Sequence, residues 1–123
     1  LLIEVQSALN LQIPFIVLTG FGAGDSGAYN TFMMKIFFTL LLKRIYADKT
    51  IMEQRITSSD MKWEIVRPGL LTDSHLTEKY RTETALYKGI NIGAISRADV
   101  ADFMIKQAEN PTMIYKYVSL ASK

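Results

Sequence analysis

The segment Trp63-Glu64-Ile65-Val66-Arg67-Pro68-Gly69 constrains the fold of this chain more than any other. It reads as a short strand that runs into a Pro-Gly break. Pro68 has no N–H, so a hydrogen-bonded ladder ends there, and Gly69 lets the backbone turn away or approach another group closely. A strand of an open α/β sheet ends in this way when its carboxyl end borders a ligand crevice. A second run, Ile13-Pro14-Phe15-Ile16-Val17-Leu18-Thr19, is apolar almost throughout. Such runs belong to strands covered on both faces, as in parallel sheets, and proline is tolerated at the start of one. The run leads into a loop holding Gly20, Gly22, Gly24 and Gly27.

The stretch between the two runs reads as helical. Phe32, Met33, Ile36, Phe37, Leu40, Leu41 and Ile45 share one wide face and predict a helix over Thr31 to Tyr46. That face is core, or a subunit contact if nothing else covers it. Thr50 to Glu53 has capping-box spacing, so Asp48 or Thr50 is expected to open a second helix carrying Ile51, Met52 and Ile56 and ending near Ser58-Ser59-Asp60. Strand, helix and strand in alternation predict a right-handed parallel crossover. Leu1 to Asn10 has helical spacing over a short window. Residues from Thr72 to Ile95 are less regular, with a short strand over Tyr80 to Thr84 and turns at Gly89 and Gly93. Ser96-Arg97-Ala98-Asp99 is another capping box. It opens a helix with Val100, Phe103, Met104 and Gln107 along one side, stopped by Asn110-Pro111. Met113 to Leu120 alternates as a last strand.

Composition removes several functional classes. Fourteen basic against 12 acidic residues leave a net charge of +2, too little to argue for a nucleic-acid partner. The absence of cysteine excludes disulfides and thiolate metal sites, and the single His75 cannot form a multi-histidine metal site, so no metal is expected. The most apolar stretch, Phe32 to Leu42, contains Lys35 and is too short to span a bilayer, so no membrane partner is expected either.

Four segments, taken in order and spacing, resemble atypical short-chain dehydrogenase/reductases. They are Val17-Leu18-Thr19-Gly20-Phe21-Gly22-Ala23-Gly24-Asp25-Ser26, then Asp48-Lys49 with Glu53, then Trp63 to Gly69, then Ile95-Ser96-Arg97-Ala98-Asp99-Val100-Ala101. The resemblance covers nearly the whole chain and is nearest to the NAD(P)H-binding group that includes biliverdin reductase B and the NADH-flavin reductases. It implies an α/β fold, the C-terminal part of a Rossmann-like doubly wound parallel sheet, with residues 1–123 forming one portion of a single domain. The chain enters at Leu1 in what reads as the middle of that domain. The family's first strand and its glycine-rich phosphate loop are then the missing N-terminal half. An open sheet edge follows, to be covered by that half or by a partner chain. The resemblance further implies a cytoplasmic reductase that takes NADP or NAD and passes hydride to a small-molecule substrate, a flavin-like or other planar acceptor. Two alternatives remain open: a non-catalytic NAD(P)-binding regulatory protein, and an epimerase-type member.

The same resemblance distributes roles to residues. Thr19 and Gly20 fall near the nicotinamide ribose, and Lys49 falls at the lysine that binds the ribose hydroxyls; its bland alternative is a solvated first-turn lysine. Pro68, Gly69 and Leu70 line the cofactor crevice. Phe21 and His75 lie where a substrate is reached, although a lone loop histidine is more often solvated. In the usual Tyr-x-x-x-Lys pattern the tyrosine stands four residues before the lysine, and here that position is Ile45. Tyr46 is displaced by roughly 100° around a helix. The tyrosine acid is therefore missing, which disfavours alcohol dehydrogenation and epimerisation, and no catalytic residue is assigned. Arg67 is expected to pair with a buried carboxylate, and Arg97 to sit in the first turn of its helix.

Overall fold

A computed structural model describes residues 2–9, 13–21 and 43–123. Its elements are α1 (Leu2–Ala8), β1 (Pro14–Leu18), α2 (Lys43–Thr57), β2 (Lys62–Pro68), β3 (Leu70–Thr72), β4 (Tyr80–Glu83), β5 (Ala94–Ser96), α3 (Arg97–Glu109) and β6 (Lys116–Ser122). The glycine-rich loop beyond Phe21, and most of the helix expected over Thr31 to Tyr46, lie outside the described residues.

The two apolar runs are adjacent parallel strands, with Phe15 opposite Trp63 and Val17 opposite Ile65. β6 lies beyond β2, also parallel, with Val66 opposite Val118. β4 closes the far side antiparallel to β6, giving the order β1-β2-β6-β4. A parallel sheet with one antiparallel edge strand is a common doubly wound arrangement. The α/β class expected from the sequence is the class observed.

Alternation along the strands sends side chains to both faces. Trp63 and Ile65 of β2, with Phe15, Val17 and Tyr117, meet Met52 and Ile56 of α2 and Ile3 of α1. Val66, Val118 and Leu120, with Ile16, meet Val100, Phe103 and Met104 of α3 on the other face. The sheet is thus covered on both sides, which is why its strands read as continuous apolar runs.

Two expected boundaries are corrected. Asp48 and Thr50 do not open a new helix: α2 runs unbroken from Lys43 to Thr57. No glycine or proline interrupts that stretch, and the Glu53 side chain turns toward Thr19 and Arg67 rather than back to the start of a helix. The last strand begins at Lys116, not Met113. Tyr115 takes a left-handed φ of 62°, and its N–H donates to the Trp63 carbonyl at 2.7 Å. The chain must turn there before it can enter the sheet.

The Pro-Gly break leads into a second, smaller sheet. β3 and β5 form a two-stranded parallel ribbon. The Gly69 N–H donates to the Leu120 carbonyl at 3.2 Å, and the Leu70 N–H donates to the Gly93 carbonyl at 2.8 Å. A Cβ at Gly69 would stand 2.1 Å from the Gly93 oxygen. Glycine is required at 69 because another stretch of backbone lies against it. β5 passes directly into α3, whose N-cap Ser96 accepts from the Asp99 N–H at 3.0 Å, as the capping box predicts.

Candidate functional site

The site is built where β1 ends. Beyond Leu18 the backbone continues alongside β2: the Thr19 N–H donates to the Val66 carbonyl at 2.8 Å, and the Phe21 N–H donates to the Pro68 carbonyl at 2.9 Å. Thr19, Gly20 and the Pro68 turn are therefore neighbours at the carboxyl edge of the sheet, and Thr19 and Gly20 are buried.

α2 grips this strand end from one side. Lys49 and Glu53 are one helical turn apart and share a face. The Lys49 Nζ donates to the Thr19 carbonyl at 3.0 Å. The Thr19 hydroxyl donates to Glu53 Oε1 at 2.6 Å. Arg67 completes the arrangement from β2, with Nε donating to Glu53 Oε1 at 3.1 Å and Nη2 donating to Oε2 at 2.7 Å. This two-pronged geometry is the strong form of an arginine–carboxylate bond. The guanidinium also lies 4.0 Å from the centre of the Tyr117 ring, which adds a cation–π attraction. Thr19, Glu53 and Arg67 are each at most 3% exposed. The carboxylate expected beside Arg67 is thus Glu53.

The other candidate residues are placed as follows. Leu70 is 70% exposed, beside the turn. Gly69 is pressed against Gly93. Phe21 is buried in a cluster with Ile90, Ile92 and Ala121, so its ring joins the strand end to the loop before β5. His75 is exposed on the loop between β3 and β4. Arg97 is the first residue of α3 and pairs with Asp73 at 2.6 Å in an exposed setting.

A cavity of about 420 Å³ opens beside the ribbon, walled by Thr72, Ser74, Thr77, Arg81, Gly93 and Ser96 among others. His75 stands on the loop that supplies two of those walls. The start of α3 is occupied from within. Asp99 accepts from the Thr77 N–H at 2.9 Å, the Thr77 hydroxyl at 2.7 Å and the Glu78 N–H at 2.9 Å. Burial pushes the Asp99 carboxyl up, but the bonds from Thr77, Glu78 and Ser96 outweigh it and hold the group below the ordinary carboxylate range.

The donor set can be matched to a nicotinamide nucleotide. An ammonium held by a carbonyl at the ends of two parallel strands suits ribose hydroxyls. Pro68, which offers no N–H, and the exposed Leu70 suit an apolar ring. Among the described residues no cluster of histidine and carboxylate side chains is arranged to hold a metal ion, and no helix is long and apolar enough to cross a membrane.

Glu53 was legible in the sequence only as part of a motif, with no partner to give it a role. Tyr117 carried no signal. One clue was available for Glu53: it follows Lys49 at helical spacing, so any residue held by the lysine lies within reach of the carboxylate.

Comparison with known proteins gives a consistent result. The sequence model of a family described as NAD(P)H-binding matches residues 12–111. No curated protein sequence matches significantly. ChuY from Escherichia coli CFT073 is similar at a TM-score of 0.82 and 27% identity, over 98% of this chain and 61% of that one. ChuY from Escherichia coli O157:H7, named an anaerobilin reductase, is similar at 0.80 and 27% identity, over 98% of this chain and 54% of that one. A short-chain dehydrogenase/reductase from Veillonella parvula DSM 2008, solved in complex with NADP, shares the fold at 0.75 with 16% identity, over 98% of this chain and 55% of that one. This chain therefore spans less than two thirds of the length of each.

Proposed function

Because the chain belongs to the NAD(P)H-binding family, we propose that it forms the nicotinamide-proximal part of an NAD(P)H-dependent reductase acting on a flavin-like or other planar acceptor. The observation that carries this reading is the Lys49 ammonium, fixed 3.0 Å from the Thr19 carbonyl at the carboxyl edge of the parallel sheet. A crevice at that edge is where open α/β sheets bind nucleotides. The naming of one neighbour as an anaerobilin reductase supports a reductase over an epimerase. So does Ile45, one turn before Lys49 on α2, in the place of a tyrosine acid.

The division of labour follows. The nicotinamide, when bound, supplies the hydride. Lys49 would hold the ribose hydroxyls and so orient the nicotinamide toward the acceptor. Thr19 and Gly20 contribute backbone beside the ribose. Pro68, Gly69 and Leu70 wall the ring, and the exposed Leu70 side chain keeps water from its edge. Phe21, buried against Ile90 and Ile92, would back the acceptor side from within the core, and His75, exposed on the loop between β3 and β4, would reach it from solvent. Hydride transfer to a planar acceptor asks for orientation and water exclusion, which these residues provide without a tyrosine. NADP and NAD are equally served by the residues in hand.

Ile45 is also compatible with a second reading, a protein that binds the cofactor without turnover. One experiment serves both. In the full natural polypeptide, fluorescence titration with NADPH and with NADH is followed by cofactor oxidation with FMN as acceptor. Binding that weakens about tenfold in Lys49→Ala, with FMN-dependent oxidation in the unsubstituted protein, is expected. Binding without oxidation by any planar acceptor selects the regulatory reading, and undiminished affinity in Lys49→Ala removes Lys49 from the site.

A further inference from the structure

We propose that Glu53 is a positioning residue for the cofactor lysine: by holding the Thr19 side chain it fixes the Thr19 carbonyl that aims Lys49. The inference rests on the reading of Lys49 as the ribose-binding group and adds the element that sets its direction.

The argument starts from Thr19. Its N–H is spent on the Val66 carbonyl, its hydroxyl on Glu53 and its carbonyl on Lys49. Two of these three bonds go to the same helix face, one turn apart. α2 thus pinches a single residue by its side chain and its backbone. A lysine stem is long and flexible, so the point at which its ammonium rests is decided by what accepts from it. Here that acceptor is a main-chain oxygen just past the last residue of β1, on a strand that among the described residues is paired on one side alone. The Thr19 hydroxyl supplies the missing constraint.

Glu53 can do this because it is itself immobile. Its two oxygens take both prongs of Arg67, and Arg67 lies against the Tyr117 ring. Arg67 belongs to β2 and Tyr117 to β6, so the carboxylate is referenced to the two central strands of the sheet. The chain of contact runs from Tyr117 through Arg67, Glu53 and Thr19 to Lys49, and every member before the lysine is buried or half-buried. Glu53 Oε1 accepts from Arg67 and from the Thr19 hydroxyl at once, so the anchored carboxylate and the strand end are joined directly.

The test is a double-mutant cycle read on cofactor affinity in the full natural polypeptide. Glu53→Gln keeps the volume and removes the charge. Thr19→Val keeps the shape, deletes only the hydroxyl and leaves the Arg67 pair intact, so it serves if Glu53→Gln does not fold. Each is combined with Lys49→Met, and the dissociation constants for NADPH and NADH are measured by fluorescence. The expected result is a five- to tenfold loss of affinity in Thr19→Val and in Glu53→Gln, restored by Thr19→Ser, with no further loss when either is added to Lys49→Met. Thermal stability, by contrast, falls to the same extent in both backgrounds. Equal loss of affinity with and without Lys49 overturns the proposal, because the residues then act independently of the lysine. An unchanged affinity in Thr19→Val beside a weakened Lys49→Met overturns it too, while leaving the ribose-binding reading intact. An unchanged affinity in Lys49→Met removes that reading and the proposal with it.

Discussion

Glu64 is the residue whose chemistry fits its surroundings least. It lies in β2, is 0% exposed, and neither carboxylate oxygen has a hydrogen-bond partner among the described residues. Burial pushes the group above the ordinary carboxylate range, and the nearby Met113 backbone offsets only part of that. The direction fixes a pH dependence. A raised folded-state pKa means the native protein holds this proton more firmly than the unfolded chain. The native state carries no penalty below the unfolded value of about 4.3. The penalty accrues as pH rises through the interval above it and is constant beyond the folded value. Glu64→Gln removes the charge at equal size, so it should melt higher than the natural protein at neutral pH and at about the same temperature near pH 4. Thermal melts at the two pH values decide the matter, and a gap that persists at low pH would point to packing instead.

At the scale of elements, the junction between the main sheet and the β3–β5 ribbon depends on Gly69. Alanine there would place its Cβ 2.1 Å from the Gly93 oxygen, and the obstacle is backbone, which cannot swing aside. Gly69→Ala is expected to cost about 1–3 kcal/mol, at the upper end for overpacking. Urea denaturation should show the midpoint falling with the slope unchanged, and an unaltered midpoint would show that the two backbones separate freely. The sequence announced the break at Pro68-Gly69 but not what approached it, because Gly93 is remote in sequence and its ribbon strands are only three residues each. β1, β2 and α3 were legible because burial on both faces, or a capping box, writes a local pattern. The helix boundary expected at Asp48 failed for the converse reason. Thr50 to Glu53 has the spacing of a cap, yet Glu53 serves a residue 34 positions away. The same distance hid its place beside Thr19. Family resemblance singles out Lys49 as a candidate, whereas no local rule links a helix carboxylate to a strand threonine.

At the scale of the whole molecule, the described residues leave one flank of the sheet without a partner strand. Among the described residues β1 pairs with β2 alone, and Ile13 and Leu18 at its ends, with Leu2 and Val5 of α1 and Leu9 just after it, face solvent. An unpaired apolar strand invites another strand. The protein is therefore expected to associate through this edge. Sedimentation velocity over a range of concentrations tests the point, and a monodisperse monomer throughout would contradict it.

The parallel ladder also governs how the chain reaches this state. Val17 must find Ile65, and Val66 must find Val118. Even the antiparallel edge joins Tyr80 to Ser122 rather than closing a hairpin. Among the described residues no strand of the main sheet has its partner close by in sequence, so loops must close before any ladder bond rewards them. Topologies dominated by distant pairings fold slowly, over milliseconds to seconds. Throughout that interval the run from Pro14 to Leu18 is unprotected, and its fate depends on whether β2 or a neighbouring molecule arrives first.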